Sequence, residues 1–111
     1  MSNVFTNAFV NLTTTNNTTI YTCNSTARAI IQNIQLANES GNVDVKVFFT
    51  DSSASTTVEI GHDTIASKET VNLAKGPIVL EEGDAISITA NATPITGIVS
   101  VLEINRGLST G

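Results

Sequence analysis

Apolar and polar side chains alternate with a two-residue period along the stretch 43–50. The apolar residues at every second position of this stretch are Val43, Val45, Val47 and Phe49. Asp44 and Lys46 lie between them. Successive side chains of a strand point to opposite faces, so this pattern predicts a strand with one face in a core and the other in water.

Similar patterns recur in nine segments along most of the chain, and these predict about eight short strands with no helix. The candidate segments are 5–12, 18–23, 28–36, 43–50, 56–62, 69–73, 76–80, 85–90 and 97–104. Stretches rich in Asn, Ser, Asp and Gly, such as 38–42, 51–55, 81–84 and 91–94, separate them and are typical of turns. The segments 43–50 and 56–62 are expected to form a hairpin. Pro77 lacks a ladder donor, so 76–80 is placed at a sheet edge or a corner.

Two segments leave alternatives open. In 28–36, Ile30, Ile34 and Leu36 share one face of a strand, although the spacing of Ala27, Ile30, Ile31 and Ile34 also suits a helix; the β-branched side chains favour the strand. In 97–104, Ile98, Leu102 and Ile104 lie on one face, with Val99 and Val101 on the other. A strand with two apolar faces is covered on both sides, either by the core and an oligomer partner or by two packed layers.

These segments predict one all-β domain over residues 1–111, an antiparallel β-sandwich or jelly roll, with a short polar tail at 105–111. Strands at this spacing, with Gly, Asn and Asp turns and no crossover helices, are typical of that architecture. A chain of 111 residues suits a single core.

Composition narrows the functional classes. Ten acidic and five basic residues give a net charge of −5, which disfavours binding to nucleic acid or to anionic membrane surfaces. No apolar run approaches the roughly 18 residues of a transmembrane helix, and the start of the chain is not that of a signal peptide. Cys23 is the sole cysteine, which excludes an intrachain disulfide and favours synthesis in a reducing cytosol.

Three places carry side chains that could perform chemistry. His62 lies near Glu59 and Asp63, a combination that could orient a base or hold zinc, although a lone histidine at a strand end is more often solvated. Cys23 has no histidine beside it to activate it and is better interpreted as a small buried residue. The acidic run at 81–84 lacks the alternating ligands of a calcium loop and fits a turn. We therefore predict no catalytic residue, no metal and no cofactor.

Three residues are candidates for contact with another protein. Phe48 must point away from the inward phase of its strand, so it meets either another subunit or a covering segment of this chain. Val99 and Val101 are the second apolar face of 97–104. If the core covers one side of 97–104 and an oligomer partner covers the other, these two valines contact the partner.

Several segments resemble small β-sandwich virion proteins of tailed bacteriophages. They are TIYTC at 19–23, ARAIIQNIQLAN at 27–38, VKVFFTD at 45–51, GPIVLEEGDAISITA at 76–90 and VSVLEI at 99–104. The likeness covers most of the chain. It departs from the expected pattern at 23–25, where Cys-Asn-Ser replaces a Pro/Gly turn.

The resemblance implies a structural role in the virion and no catalytic motif. Such proteins sit on the capsid as decoration or cement proteins, or on the neck or tail as accessory components, commonly as trimers. The expected partners are therefore the major capsid protein or neck and tail proteins, together with further copies of this chain. Two other classes stay open: a host-surface or carbohydrate-binding module, disfavoured by the lack of Trp, and an enzyme centred on His62.

Overall fold

The computed structural model describes residues 2–39 and 41–105, and these residues form nine strands and no helix. The strands are β1 (Ser2–Leu12), β2 (Thr18–Thr22), β3 (Ala27–Asn38), β4 (Val43–Asp51), β5 (Thr56–Ile65), β6 (Thr70–Asn72), β7 (Ile78–Leu80), β8 (Ala85–Ala90) and β9 (Ile95–Asn105). The all-β prediction is confirmed. In the described part of the chain, no helix is of a length and hydropathy suited to crossing a membrane.

The strands form two antiparallel sheets. Sheet A has the order β1-β9-β3-β6, and β7 also pairs with β3. Strand β9 pairs along the whole of one edge of β3. The other edge of β3 is shared by β7, which pairs with 29–31, and by β6, which pairs with 35–37. Strands β6 and β7 therefore act as one interrupted strand. Sheet B has the order β2-β8-β4-β5. Counting β6 and β7 as one strand, this is the topology of a jelly roll, in which Greek-key connections cross between two packed sheets.

The core lies between the sheets and consists of the inward positions of both. Val43, Val45 and Val47 are buried in it, as their alternation predicts. The hairpin of β4 and β5 is also confirmed, with Val43 opposite Ile65 at one end. Sheet A contributes mainly isoleucine, leucine and valine from the inward face of β1, β3 and β9.

Two predictions about individual strands need correction. The segment 28–36 is a strand, as predicted, and forms part of β3 with pairing on both edges, but Ile30 does not share a face with Ile34 and Leu36 as expected. Within β3, a bulge between Ile31 and Asn33 shifts the alternation. Ile31 and Ile34 therefore both point inward, and Ile30 points outward with Leu102 of β9 and Val79 of β7, its paired neighbours.

Val99 and Val101 are not outward contact residues of the folded domain. Their exposed fractions are 0% and 2%, and both belong to the core between the sheets. The reason is that β9 is a central strand of sheet A whose odd-numbered residues face sheet B. The even-numbered Ile98, Leu102 and Ile104 form its outward face, so their assignment to the opposite side from the valines is confirmed.

The predicted turns at 51–55, 81–84 and 91–94 are present, and the one at 38–42 includes a residue outside the described ranges. Residues 81–84 connect β7 to β8, with Gly83 at a φ of +83°, a conformation that glycine adopts without a Cβ penalty. Residues 91–94 connect β8 to β9 and include a cis peptide bond before Pro94. The predicted polar tail falls on residues 105–111, of which Asn105 ends β9 and the others lie outside the described residues.

Candidate interaction surface

A row of apolar side chains crosses the outward face of sheet A on four neighbouring strands. Phe5 of β1 pairs with Leu102 of β9, Leu102 pairs with Ile30 of β3, and Ile30 pairs with Val79 of β7. Residues directly opposite each other in antiparallel strands lie on the same face with their Cβ atoms about 4.5–5.5 Å apart. The four side chains are therefore contiguous, although they come from both ends and the middle of the sequence.

A second apolar pair lies beside this row. Phe9 is four residues from Phe5 on β1 and so shares its face, and it pairs with Ile98. Phe5 is 77% exposed, Phe9 75% and Val79 59%. We refer to these six residues together as the outer apolar face: Phe5, Phe9, Ile30, Val79, Ile98 and Leu102. Contiguous exposed apolar surface of this kind marks interaction sites on folded proteins.

The surroundings of the outer apolar face are polar but nearly uncharged. Asn7, Ser100 and Asn33 form a paired row between the two apolar rows. Among the described outward positions of sheet A, Arg28 is the one charged side chain, and its Nε donates to Glu82 Oε1 at 3.2 Å. Depletion of charge together with enrichment of aromatic residues is the composition of the buried centre of protein interfaces.

An apolar cleft adjoins the outer apolar face at Val79. It has a volume of about 340 Å³ and lies where β7 meets the β5 edge of sheet B. Its lining includes Phe49, Ile60, Leu73 and Ile78, together with the charged side chain of Lys75. The row therefore ends in a protruding phenylalanine at β1 and in a concave apolar edge at β7.

The outward face of sheet B is different in character. Two polar hollows of about 460 and 500 Å³ meet at Asp44 and Lys46 of β4. His62 and Thr64 line one of them and Asn91 lines the other. The Thr64 hydroxyl donates to Asp44 Oδ1 at 2.7 Å, so part of this polar surface is already held in place.

Phe48 also lies on the outward face of sheet B. It is half-buried and lies opposite Ser87 of β8, whose side chain is buried, and opposite Glu59 of β5. The outward direction predicted from its strand is confirmed, whereas its role as a protein contact stays a prediction. Phe5 and Phe9 are far more exposed, and the sequence analysis did not single them out.

The residues considered for catalysis are not assembled into a site. His62 Nδ1 lies 2.9 Å from Glu59 Oε2 on the exposed edge strand β5. Asp63 instead accepts a hydrogen bond from the backbone N–H of Thr64 at 2.8 Å. In the described residues, no three His, Cys, Asp or Glu side chains are grouped closely enough to share a metal ion.

Cys23 is buried in the core, as predicted. Its thiol contacts the carbonyl oxygens of Ala27 and Leu80 at 3.4 and 3.8 Å. Burial raises the pKa of the thiol, and the nearby carboxylates of Glu103 and Glu82 raise it further. A buried neutral thiol is a poor nucleophile, so Cys23 acts as a core residue.

The acidic residues of the 81–84 turn are engaged within the turn and with β3. Asp84 is buried, and its Oδ2 accepts the backbone N–H of Glu81 at 2.9 Å while its Oδ1 accepts that of Ser52 at 3.0 Å. Glu81 and Glu82 lie beside Arg28. The carboxylate of Asp84 thus joins the β4–β5 loop to the β7–β8 turn.

Comparison with known proteins supports the fold and does not identify a family. No family model and no curated protein matches this chain. A solved structure of Bacillus endospore appendages, described as a novel family of disulfide-linked pili, matches 92% of this chain and 86% of its own at 15% identity, with a TM-score of 0.53. At that identity the likeness shows the fold alone.

Two further solved structures are less similar. The Eiger TNF of S. frugiperda matches 84% of this chain and 68% of its own at 6% identity, with a TM-score of 0.47. The Clostridium thermocellum xylanase Xyn10B, solved as its CBM22-1 and GH10 modules with xylohexaose, matches 80% of this chain at 12% identity, with a TM-score of 0.40. This chain corresponds to 19% of that xylanase chain.

Proposed function

We propose that this protein is a structural subunit that acts by docking, and specifically a bacteriophage virion protein that decorates the outer surface of the head. The observation that carries the proposal is the outer apolar face, with two phenylalanines more than 70% exposed on a sheet whose outward strand positions carry one described charge. The resemblance of segments 19–23, 27–38, 45–51, 76–90 and 99–104 to small phage virion proteins supports the virion as the place of assembly.

The architecture suits such a role physically. A sheet held between paired strands presents its outward side chains on a rigid surface, so little conformational freedom is lost on docking. Burial of the two phenylalanines would supply most of the hydrophobic gain, because large aromatic side chains dominate interface energetics. The fold is shared with a chain from an assembled bacterial appendage, which is compatible with a subunit role.

The neck or tail of the virion is the alternative location, and copy number distinguishes it from the head. Mass spectrometry of purified virions from the source phage should detect this chain. An amount comparable to the major capsid protein supports decoration of the head, whereas a few copies per particle support a neck or tail position. Absence from purified virions would contradict the virion proposal as a whole.

A carbohydrate-binding or host-surface module is a second candidate, favoured by the two polar hollows on sheet B. Asp44, Lys46 and Asn91 offer groups that can hydrogen-bond to sugar hydroxyls. The Tyr21 hydroxyl, however, donates to Glu103 across the two sheets, so this side chain is held between them instead of providing an open stacking surface. Saturable glycan binding that is lost in Lys46→Ala and retained in Phe5→Ser would favour this candidate.

The proposal includes no catalytic step, no cofactor and no nucleic-acid or membrane partner. Turnover of a substrate by the purified chain that disappears in His62→Ala would contradict the non-enzymatic role. The corresponding control is Lys68→Ala, which removes a charge from a loop before β6.

A further inference from the structure

We propose that the outer apolar face binds the same face of a second copy of this chain, so that the docking unit is a two-fold dimer. The inference deepens the docking role proposed above and rests on it, but it assigns the outer apolar face to the contact between two copies, so that the dimer and not the single chain attaches to the virion. It names the partner of the outer apolar face and the arrangement of the two chains. The contacts to the virion are then left to other surfaces, among them the polar face of sheet B.

The outward side of sheet A is large enough for a stable dimer interface. Strands β1 and β9 each have 11 residues. At about 3.4 Å per residue they extend about 37 Å, and four strands about 4.8 Å apart cover about 19 Å. The whole outward side of sheet A, on which the outer apolar face lies, therefore measures at most about 700 Å², close to the ~800 Å² that each partner contributes to a stable interface of standard size.

The distribution of charge also favours contact between two copies through the outer apolar face. The chain has a net charge of −5, so contacts between two copies through the acidic parts of their surfaces are disfavoured. No acidic residue occupies a described outward strand position of sheet A, and Arg28 at one end of β3 is paired with Glu82. Two copies can approach through this face without like-charge repulsion, which elsewhere on the surface opposes association.

The apolar row of Phe5, Leu102, Ile30 and Val79 is also self-complementary. Phe5 protrudes at the β1 end, and the β7 end has Val79 beside the 340 Å³ apolar cleft. A two-fold axis parallel to the strands, passing between Leu102 and Ile30, places Phe5 of each copy over Val79 of the other. The same operation places Leu102 over Ile30. Each protruding ring then meets the smaller side chain of Val79, and the same contact occurs twice, as in any isologous interface.

Sedimentation velocity and light scattering of the full 111-residue chain test the association. We expect a species of twice the 11.6 kDa monomer mass. Phe5→Asp should raise the dissociation constant by about 100-fold or more, since each dimer loses two buried phenylalanines and gains two acidic groups. Val58→Asp is the matched control, because Val58 is 46% exposed on β5 outside this face, and it should leave the dimer intact.

Crosslinking tests the arrangement. In the double variant Phe5→Cys, Val79→Cys, a bis-maleimide that spans about 10 Å should join two chains, because packed sheets are about 10 Å apart. Within one chain the two positions are three strand spacings apart, about 14 Å, beyond that reach. Cys23 is buried and does not compete. Phe5→Cys with Val58→Cys is the control and should not give crosslinked dimers.

Several outcomes would overturn the inference. These are a monomer at high micromolar concentration, a trimer, a dimer that survives Phe5→Asp, or a dimer that Val58→Asp disrupts equally. Circular dichroism of each variant establishes that it is folded. A monomeric chain that is present on purified virions would refute the dimer but not the virion role. A dimer that is absent from purified virions would refute the virion role but not the dimer.

Discussion

The face assignment of β9 predicts how much stability a single valine contributes. Val99 is fully buried, and Val99→Ala removes two carbon atoms from the core. At about 0.8 kcal/mol per buried CH₂, with a further contribution from the cavity that remains, we expect a loss of about 2–3 kcal/mol in the free energy of unfolding. For a chain of this size that corresponds to a fall in Tm of roughly 10 °C.

The matched control is Val58→Ala, the same chemical deletion at a position on the edge strand β5 that is 46% exposed. We expect it to cost about 0.5 kcal/mol or less. Both variants are made in the Phe5→Asp background, so that self-association does not contribute to the measured stability. Urea unfolding followed by circular dichroism gives both values.

The reasoning would be refuted if Val99→Ala, like Val58→Ala, cost about 0.5 kcal/mol or less. That result would mean that Val99 is not in the core. It would restore the alternative in which Val99 and Val101 meet an oligomer partner, and Val99→Ala would then weaken association at unchanged stability.

Three further changes test the packing described above. Asp84→Ala should lower the free energy of unfolding by about 2–4 kcal/mol in urea titrations, because two backbone N–H groups lose a charged acceptor. The control Glu81→Ala should cost under about 0.5 kcal/mol, and equal effects of the two substitutions would contradict the role of Asp84. The Cys23 thiol, buried and with a raised pKa, should react with Ellman's reagent at pH 8 only after unfolding in urea, and rapid reaction of the native chain would show that it is accessible. Gly97→Ala should destabilise the fold by more than about 2 kcal/mol in thermal melts, since a Cβ there would overlap the carbonyl oxygen of Gln35 on β3; an unchanged Tm would contradict the close approach of β9 to β3.

Local alternation was sufficient to predict the strands and much of the core. Val43, Val45 and Val47 alternate with polar residues, so only one face can be inward, and the structure buries that face. Turn residues between segments then fix where each strand ends. The jelly-roll class follows from many short strands with no helical connection, without knowledge of which strands pair.

The faces of β3 and β9 could not be predicted in the same way. Both strands are apolar on two sides, so alternation identifies two faces and does not say which one is inward. In β3 the bulge after Ile31 also changes the phase within the strand, which places Ile30 and Ile34 on opposite sides. A bulge arises from the fit between paired strands, and the partner of each strand is not evident from its own sequence.

The outer apolar face was missed for a related reason. Phe5 and Leu102 are near opposite ends of the chain and become neighbours only because β1 pairs with β9. One signal was present in β1, where Phe5 and Phe9 have the opposite phase to Val10 and Leu12. That phase shows that the two sets lie on opposite faces of the strand. The choice between them depends on sheet B, which covers Val10 and Leu12 in the folded domain.

The distribution of charge relates these features to assembly. Large exposed phenylalanines promote unspecific association, which a high net charge of one sign suppresses. Here the acidic residues lie in loops, on sheet B and at the ends of strands, and the described outward positions of sheet A have none. Approach through the outward face of sheet A therefore brings fewer acidic groups together than approach through the loops or sheet B. A partner for the outer apolar face must itself be nearly uncharged where it covers this side of sheet A, and the same face of a second copy meets that requirement.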